Sequence, residues 1–150
     1  MKIVEATSQN LDELALLFDS YRMFYRKPSD VEGAKKFLGE RMNQKQSVIY
    51  LALDDSGEVL GFAQLYPLFS STRMKPLWLL NDLYVKEEHR RKGIARLLIE
   101  HCKALAMHHG AAGLSLETES TNHIGNHLYP ATGFDMDTEH NFYFWTNPND

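Results

Sequence analysis

Cysteine is nearly absent from this chain: Cys102 is the one thiol in 150 residues. That excludes an intramolecular disulfide and a cysteine-rich zinc site. Long apolar runs are missing too. No stretch approaches the roughly 20 residues a membrane-spanning helix needs, and Met1 to Ala6 lacks the apolar core of a signal segment. A cytoplasmic protein with no membrane partner is the expectation. There is no excess of positive charge, since 16 Lys and Arg stand against 20 Asp and Glu for a net charge of −4. No nucleic-acid partner is therefore expected. A mildly acidic body leaves room for one local anionic ligand and for a cationic partner elsewhere. Repeats, low-complexity tracts and linkers are also lacking, so one domain over residues 1–150 is expected.

What is present reads as ordinary globular sequence, 43% hydrophobic and 24% charged. Lys2 to Ala6 has the character of a short strand. Thr7 or Ser8 then caps a helix carrying Leu11, Leu14, Ala15, Leu17, Phe18 and Tyr21 at helical spacing. Lys27-Pro28 stops it, because a residue before proline avoids helical geometry. Ser29-Asp30-Val31-Glu32 has the capping-box pattern and opens a second helix to about Asn43. Val48–Leu53 and Val59–Leu68 are strands joined by Asp54-Asp55-Ser56-Gly57, a turn sequence. Leu77–Val85 is a further strand, and a helix follows to about His109, with Ile94, Leu98, Cys102, Leu105 and Ala106 on one face. Ala111–Glu117 predicts a strand, and Thr121 or Asn122 caps a short helix to about Leu128. Gly133-Phe134 and Phe142–Trp145 predict two closing strands. The expected class is α+β.

Between the Leu77–Val85 strand and its helix lies His89-Arg90-Arg91-Lys92-Gly93-Ile94-Ala95-Arg96. The first amides of a helix lack intrahelical partners and carry partial positive charge, which suits an anion and phosphate above all. Gly93 and Ala95 keep side-chain bulk away from that backbone, while Arg90, Arg91, Lys92 and Arg96 add charge. The stretch has neither the lysine-serine/threonine ending of a Walker loop nor the three glycines of a dinucleotide fingerprint.

Arg90-x-x-Gly93-x-Ala95, preceded by Leu83-Tyr84-Val85, resembles the acetyl-CoA-binding motif of the GNAT N-acetyltransferases. Asn122-x-x-Gly125-x-x-Leu128-Tyr129-x-x-x-Gly133-Phe134 is similar to a later motif of that family, in correct order and spacing. The resemblance implies a mixed, mostly antiparallel central sheet with a splayed parallel strand pair and helices on both faces. It implies acetyl-CoA as co-substrate, with no metal, and an amine acceptor. Backbone amides from Arg91 through Lys92, Gly93, Ile94 and Ala95 to Arg96 would hold the pyrophosphate, with Arg90 beside them. Leu83, Tyr84 and Val85 would offer strand-edge groups to the pantetheine arm, the Leu83 amide polarising the thioester carbonyl. Asn122 would contact the pantetheine or fix the helix start. Tyr129 would protonate the departing thiolate. Family members are often homodimers, and Phe142–Trp145 would supply such a contact.

One departure is Pro130, which removes an amide donor and is expected to kink or end the helix at Tyr129. For the acceptor side, Asp82 is the first candidate base. Asn81-Asp82-Leu83-Tyr84-Val85 is similar to the Glu-Asp-Leu-Tyr-Val run of polyamine-acetylating relatives, with Asn81 in place of the glutamate. Glu117 is a second candidate carboxylate; the plain alternative for either is a solvated strand-end acid. Tyr21, Phe24 and Tyr25 are expected to shape the acceptor pocket, the alternative being that Phe24 is core and the tyrosines are packing. His123-x-x-x-His127 has metal-ligand spacing but no acid to complete a set. The reading is transfer of an acetyl group to a small cationic primary amine by direct attack in a ternary complex. The alternatives are a protein N-terminal or lysine acetyltransferase and a weakly catalytic acyl-CoA-binding regulator.

Overall fold

The computed structural model describes all 150 residues, which form two compact units, Met1–Glu117 and Thr118–Asp150. In the first unit the elements run β1 (Lys2–Glu5), α1 (Leu11–Phe24), α2 (Val31–Asn43), β2 (Val48–Leu53), β3 (Val59–Ser70), β4 (Lys75–Val85), α3 (Ile94–His108) and β5 (Leu114–Ser115). The sheet order is β1-β2-β3-β4-β5, antiparallel throughout except for the parallel β4–β5 pair. The strand expected over Ala111–Glu117 shrinks to two residues, because only Leu114 and Ser115 pair with β4, opposite Trp78 and Leu79. From Leu80 to Val85, β4 has β3 on one side and no β5 on the other.

Every residue from Val59 to Leu65 is buried, which requires cover on both faces of the sheet. On one face Leu14, Ala15, Leu17 and Phe18 of α1 and Ala34 and Leu38 of α2 pack on Ile49, Leu51, Val59 and Phe62. On the other lies α3, whose His101 ring meets Tyr50 and whose His109 flank meets Trp78. α3 buries Ile94, Leu98, Ile99, Cys102 and Ala106 at the 3–4 spacing of an amphipathic helix. Ile94, Leu98 and Ile99 each contribute about 1.5–3 kcal/mol by leaving water. Burial also pushes the Cys102 thiol up to about 12, so it stays an unreactive thiol.

The α1–α2 connection departs from the expected capping box. Asp30, not Ser29, caps α2, its carboxylate accepting from the Gly33 amide at 2.9 Å. Ser29 turns back instead and donates to Asp19 at 2.7 Å, while the Asp30 amide donates to the same buried carboxylate at 2.7 Å. A carboxylate buried on α1 has to be satisfied, and the next loop supplies the donors. They hold the Asp19 carboxyl below its usual range.

The second unit holds α4 (His123–Ala131) and no strand. The helix runs through Pro130 to Ala131, correcting the expectation that it would end at Tyr129. Proline there forfeits the one amide bond to the Asn126 carbonyl, in the last turn, and the turn is closed by other donors. Thr132 closes the turn: its amide and hydroxyl both donate to the Leu128 and Tyr129 carbonyls, and Phe134 donates to Tyr129. The closing strands expected at Gly133-Phe134 and Phe142–Trp145 do not form; Phe142, Tyr143, Phe144 and Trp145 are 77–92% exposed. β-propensity expresses fit to a half-buried pleated surface, and these aromatics have none to join.

Candidate active site

Two places in the first unit gather residues singled out from the sequence. The first is the turn entering α3. Gly93 is the N-cap residue, with φ at 79°, in the left-handed region where a Cβ is costly. No side chain caps this helix start. A Cβ built on Gly93 would meet no protein atom within 4 Å, so the space above it is kept clear by the chain itself. Arg91 is also left-handed, with φ at 63°. Arg91, Lys92, Gly93 and Arg96 are exposed, Ala95 is half-buried and Ile94 is anchored in the core. This end of α3 fits a large anion that approaches the backbone.

Arg90 behaves differently from its neighbours. Its Nε donates to the Val85 carbonyl at 2.9 Å, and its guanidinium lies 5.3 Å from the Tyr84 ring centroid and 5.6 Å from that of Phe24. It braces the turn against β4 and α1. Leu83 and Tyr84 are half-buried and Val85 is buried, all on the segment of β4 that β5 does not pair.

The second place is the face of β3 and β4 under α1. Gln64 stands opposite Asp82, and the next matched pair is Leu65 with Leu80, so Asn81 is an extra residue bulged out of β4. The bulge leaves Asn81 exposed and Asp82 buried, 5% exposed. Asp82 is thus no solvated strand-end acid. Its Oδ2 accepts from Gln64 Nε2 at 2.7 Å and its Oδ1 from Asn81 Nδ2 at 3.1 Å; the Tyr21 hydroxyl lies beside it and donates to the Asn81 carbonyl at 3.5 Å. Burial nevertheless raises its affinity for a proton, and these neighbours only partly offset that. Gln64 is wholly buried and its Oε1 has no hydrogen-bond partner.

Tyr21 is half-buried, with its ring 5.2 Å from Tyr25, 5.7 Å from Phe62 and 6.0 Å from Tyr84. Phe24 packs edge-on against Tyr25 at 5.1 Å yet is 48% exposed, so it is not core. The structure therefore gathers Tyr21, Tyr25, Phe24, Asn81 and Asp82 on one face. Glu117 does not join them: it lies two residues beyond β5, exposed, with no hydrogen bond to the group. Beside this face runs a cleft of about 450 Å³ lined by Glu13, Ser20, Tyr84, Glu87 and Glu88 and by Glu58, whose carboxylate is paired with Lys86 at 2.9 Å.

Asn122 and Tyr129 belong to the second unit. Asn122 caps α4, accepting from the Gly125 amide at 3.2 Å and donating to the Thr118 hydroxyl at 2.9 Å. A Cβ on Gly125 would come within 2.6 Å of the Asn122 amide nitrogen and 3.2 Å of the Tyr129 ring, which explains a glycine inside this helix. Tyr129 is half-buried and its ring meets Phe134 at 5.9 Å. His123 and His127 are exposed.

Gln64 and Asp19 were not anticipated from the sequence. Gln64 had a signal, as the lone amide in the otherwise apolar Val59–Leu65 run, whereas Asp19 looks like any exposed helical acid.

Comparison with known proteins agrees with this geometry. Residues 14–134 match the model of the acetyltransferase (GNAT) family. The chain is 42% identical over 138 residues to the uncharacterized N-acetyltransferase YhfO of Bacillus subtilis (strain 168), covering 92% of both chains. It is 28% identical over 106 residues to the aminoglycoside N(6')-acetyltransferase type 1 of Acinetobacter genomosp. 13, covering 69% of this chain and 72% of that one. The crystal structure of a probable acetyltransferase superposes with a TM-score of 0.95 at 43% identity over 100% of both chains. With an uncapped, unobstructed helix start after an unpaired strand edge, and a match from residue 14 to residue 134, the chain belongs to the GNAT family of acetyltransferases, enzymes that use acetyl-CoA.

Proposed function

We propose that this chain transfers the acetyl group of acetyl-CoA to a primary amine on a small cationic molecule, by direct attack of the neutral amine in a ternary complex. The observation that carries the reading is the Asp82 carboxyl, buried on the strand segment that carries the cofactor edge and overlaid by the aromatic group of Tyr21, Phe24 and Tyr25. Aromatic faces and a carboxylate suit a cation, and a cleft rich in glutamate beside them attracts one.

In this reading acetyl-CoA supplies the acyl group as a thioester. The amides from Arg91 to Arg96 hold its pyrophosphate, and Arg90 holds the turn in shape. The edge of Leu83, Tyr84 and Val85 receives the pantetheine, with the Leu83 amide donating to the carbonyl oxygen as charge builds there. Asp82 removes a proton from the acceptor, and Asn81 and Tyr25 contact it. The assignment of Tyr129 as proton donor to the thiolate rests on its motif, with Asn122 holding the start of its helix. The similarity to an aminoglycoside acetyltransferase favours a polycationic acceptor over a peptide.

A thiol-release assay against a panel of polyamines, aminoglycosides, monoamines and peptides tests this. Acceptor-dependent release with the small cationic amines is expected. Release with peptides alone would make the chain a protein acetyltransferase, and CoA binding without release on any acceptor would make it a regulator.

A further inference from the structure

We propose that Gln64 is a positioning residue of the transfer reaction, its side-chain amide fixing the Asp82 carboxylate so that Oδ1 is the oxygen offered to the acceptor. The proposal rests on the acetyl-transfer reading above and concerns how its base is held. Gln64 carries the lone polar side chain of the buried Val59–Leu65 run. It is wholly buried, and its Oε1 has no hydrogen-bond partner. An amide oxygen buried without a partner destabilises the fold, where a methionine of the same length would not. Set against that loss is one short bond, from Nε2 to Asp82 Oδ2 at 2.7 Å.

The position of Gln64 gives that bond a direction. Gln64 and Asp82 face each other across β3 and β4, next to the bulge at Asn81. The amide therefore takes Oδ2 on the inner side of the carboxylate. Oδ1 lies on the other side, where Asn81, an exposed residue, donates to it at 3.1 Å. The Tyr21 hydroxyl is at that outer end too, donating to the Asn81 carbonyl at 3.5 Å. Tied at Oδ2 by a residue fixed in the core, the carboxylate keeps Oδ1 turned outward.

With an N–H already on Oδ2, one proton of the acceptor's ammonium lands on Oδ1. The nitrogen keeps the electron pair that forms the C–N bond, and the C–S bond breaks with its electrons to sulfur. A second proton passes from nitrogen to sulfur, the third stays on the product amide, and Asp82 returns its own to water. The bond also favours the ionised carboxylate, opposing burial, which pushes Asp82 the other way. The titratable groups around it are Tyr21 of α1 and Tyr66 of β3. Tyr66 is pushed up to about 12, by burial first and the Asp82 charge second, and Arg41 of α2 opposes that.

Gln64→Met tests the proposal, because it keeps the length of the side chain in apolar surroundings and removes the amide. The acid limb of kcat/KM for a basic amine should move up by about one to two pH units, since the ionised form loses a donor. On the plateau above that limb, kcat should still lie about three- to tenfold below wild type, because the carboxylate is no longer held in place. The KM for acetyl-CoA should not move. In the Asp82→Asn background the same substitution should change kcat by less than about twofold. In the wild-type protein, the Gln64 side-chain amide protons followed by nitrogen-edited NMR should shift with the titration of Asp82. An unmoved acid limb, losses that multiply in the double variant, or Gln64 amide signals that stay flat with pH would overturn the positioning role. Wild-type protein that releases no thiol with any amine would overturn the transfer reading, and the proposal with it, before any variant is made.

Discussion

The turn entering α3 and the face under α1 are built on opposite principles. The turn is contiguous in sequence and exposed, and in the proposed reading it works through backbone groups and formal charge. The face is assembled from α1, β3 and β4, and in that reading it works through side chains withdrawn from water. A site of the first kind offers its ligand a fixed field at little folding cost. The second kind stores its function in a destabilising arrangement, a buried carboxyl beside a buried amide oxygen that nothing satisfies. Mutations should therefore separate the two: turn variants lose affinity for the cofactor, and face variants lose rate while some gain stability.

Asp82→Asn is the strongest test of that contrast. It removes the proposed base while keeping size and an acceptor for Gln64, and should lower kcat on the order of 10²–10³-fold at neutral pH. The folded-state pKa of Asp82 is raised. The native state thus holds its proton more tightly than the unfolded chain does, and stability falls as pH rises through the folded value. Asparagine lacks that penalty. Thermal unfolding at pH 7 should occur at higher temperature in Asp82→Asn than in wild type, with the gap closing in acid. A variant that loses both rate and stability would erase the distinction.

Gly93→Val comes next. No protein atom lies within 4 Å of the added Cβ, so the cost is confined to the positive φ and to whatever approaches the backbone. The KM for acetyl-CoA should rise by at least about tenfold, with kcat at saturation within about twofold, since a β-branched residue at positive φ resists the turn. If kcat fell as far as KM rose, the turn would be contributing to the chemical step.

The same contrast decides what could be read from the sequence. The turn was legible because its parts are adjacent: a strand, a glycine, four basic residues and a helix in one line. The sheet and its covering helices were legible from hydrophobic spacing, down to the buried face of α3. Asp82 and Tyr21 could be named singly, but the bulge at Asn81 that buries one and exposes the other depends on register between strands 18 residues apart at Gln64 and Asp82. No local pattern encodes that. Ser29 misled because it matches a capping pattern locally while a tertiary partner, Asp19, claims its hydroxyl. Phe142–Trp145 misled for a related reason, since strand-forming residues become a strand only when another strand receives them.

Asp19 yields the smallest of the expected effects and one that bears on the acceptor face alone. Its carboxylate ties α1 to the loop before α2 through Ser29 and the Asp30 amide. An amide in its place keeps one acceptor and turns a donor toward groups that are themselves donors, so Asp19→Asn should cost about 1–2 kcal/mol at neutral pH. Here the folded-state pKa is lowered. The stabilisation is therefore fully present above the unfolded carboxylate value and is lost as pH falls through the folded one, so wild type and variant should converge in acid. Urea unfolding at a series of pH values measures this directly. The α1–α2 connection follows Tyr21 and Tyr25 and lies far in sequence from Gly93, so acceptor KM should rise a few-fold while acetyl-CoA KM stays constant. A shift in both would mean that α1 also holds the cofactor turn, as the stacking of Arg90 on Phe24 would allow.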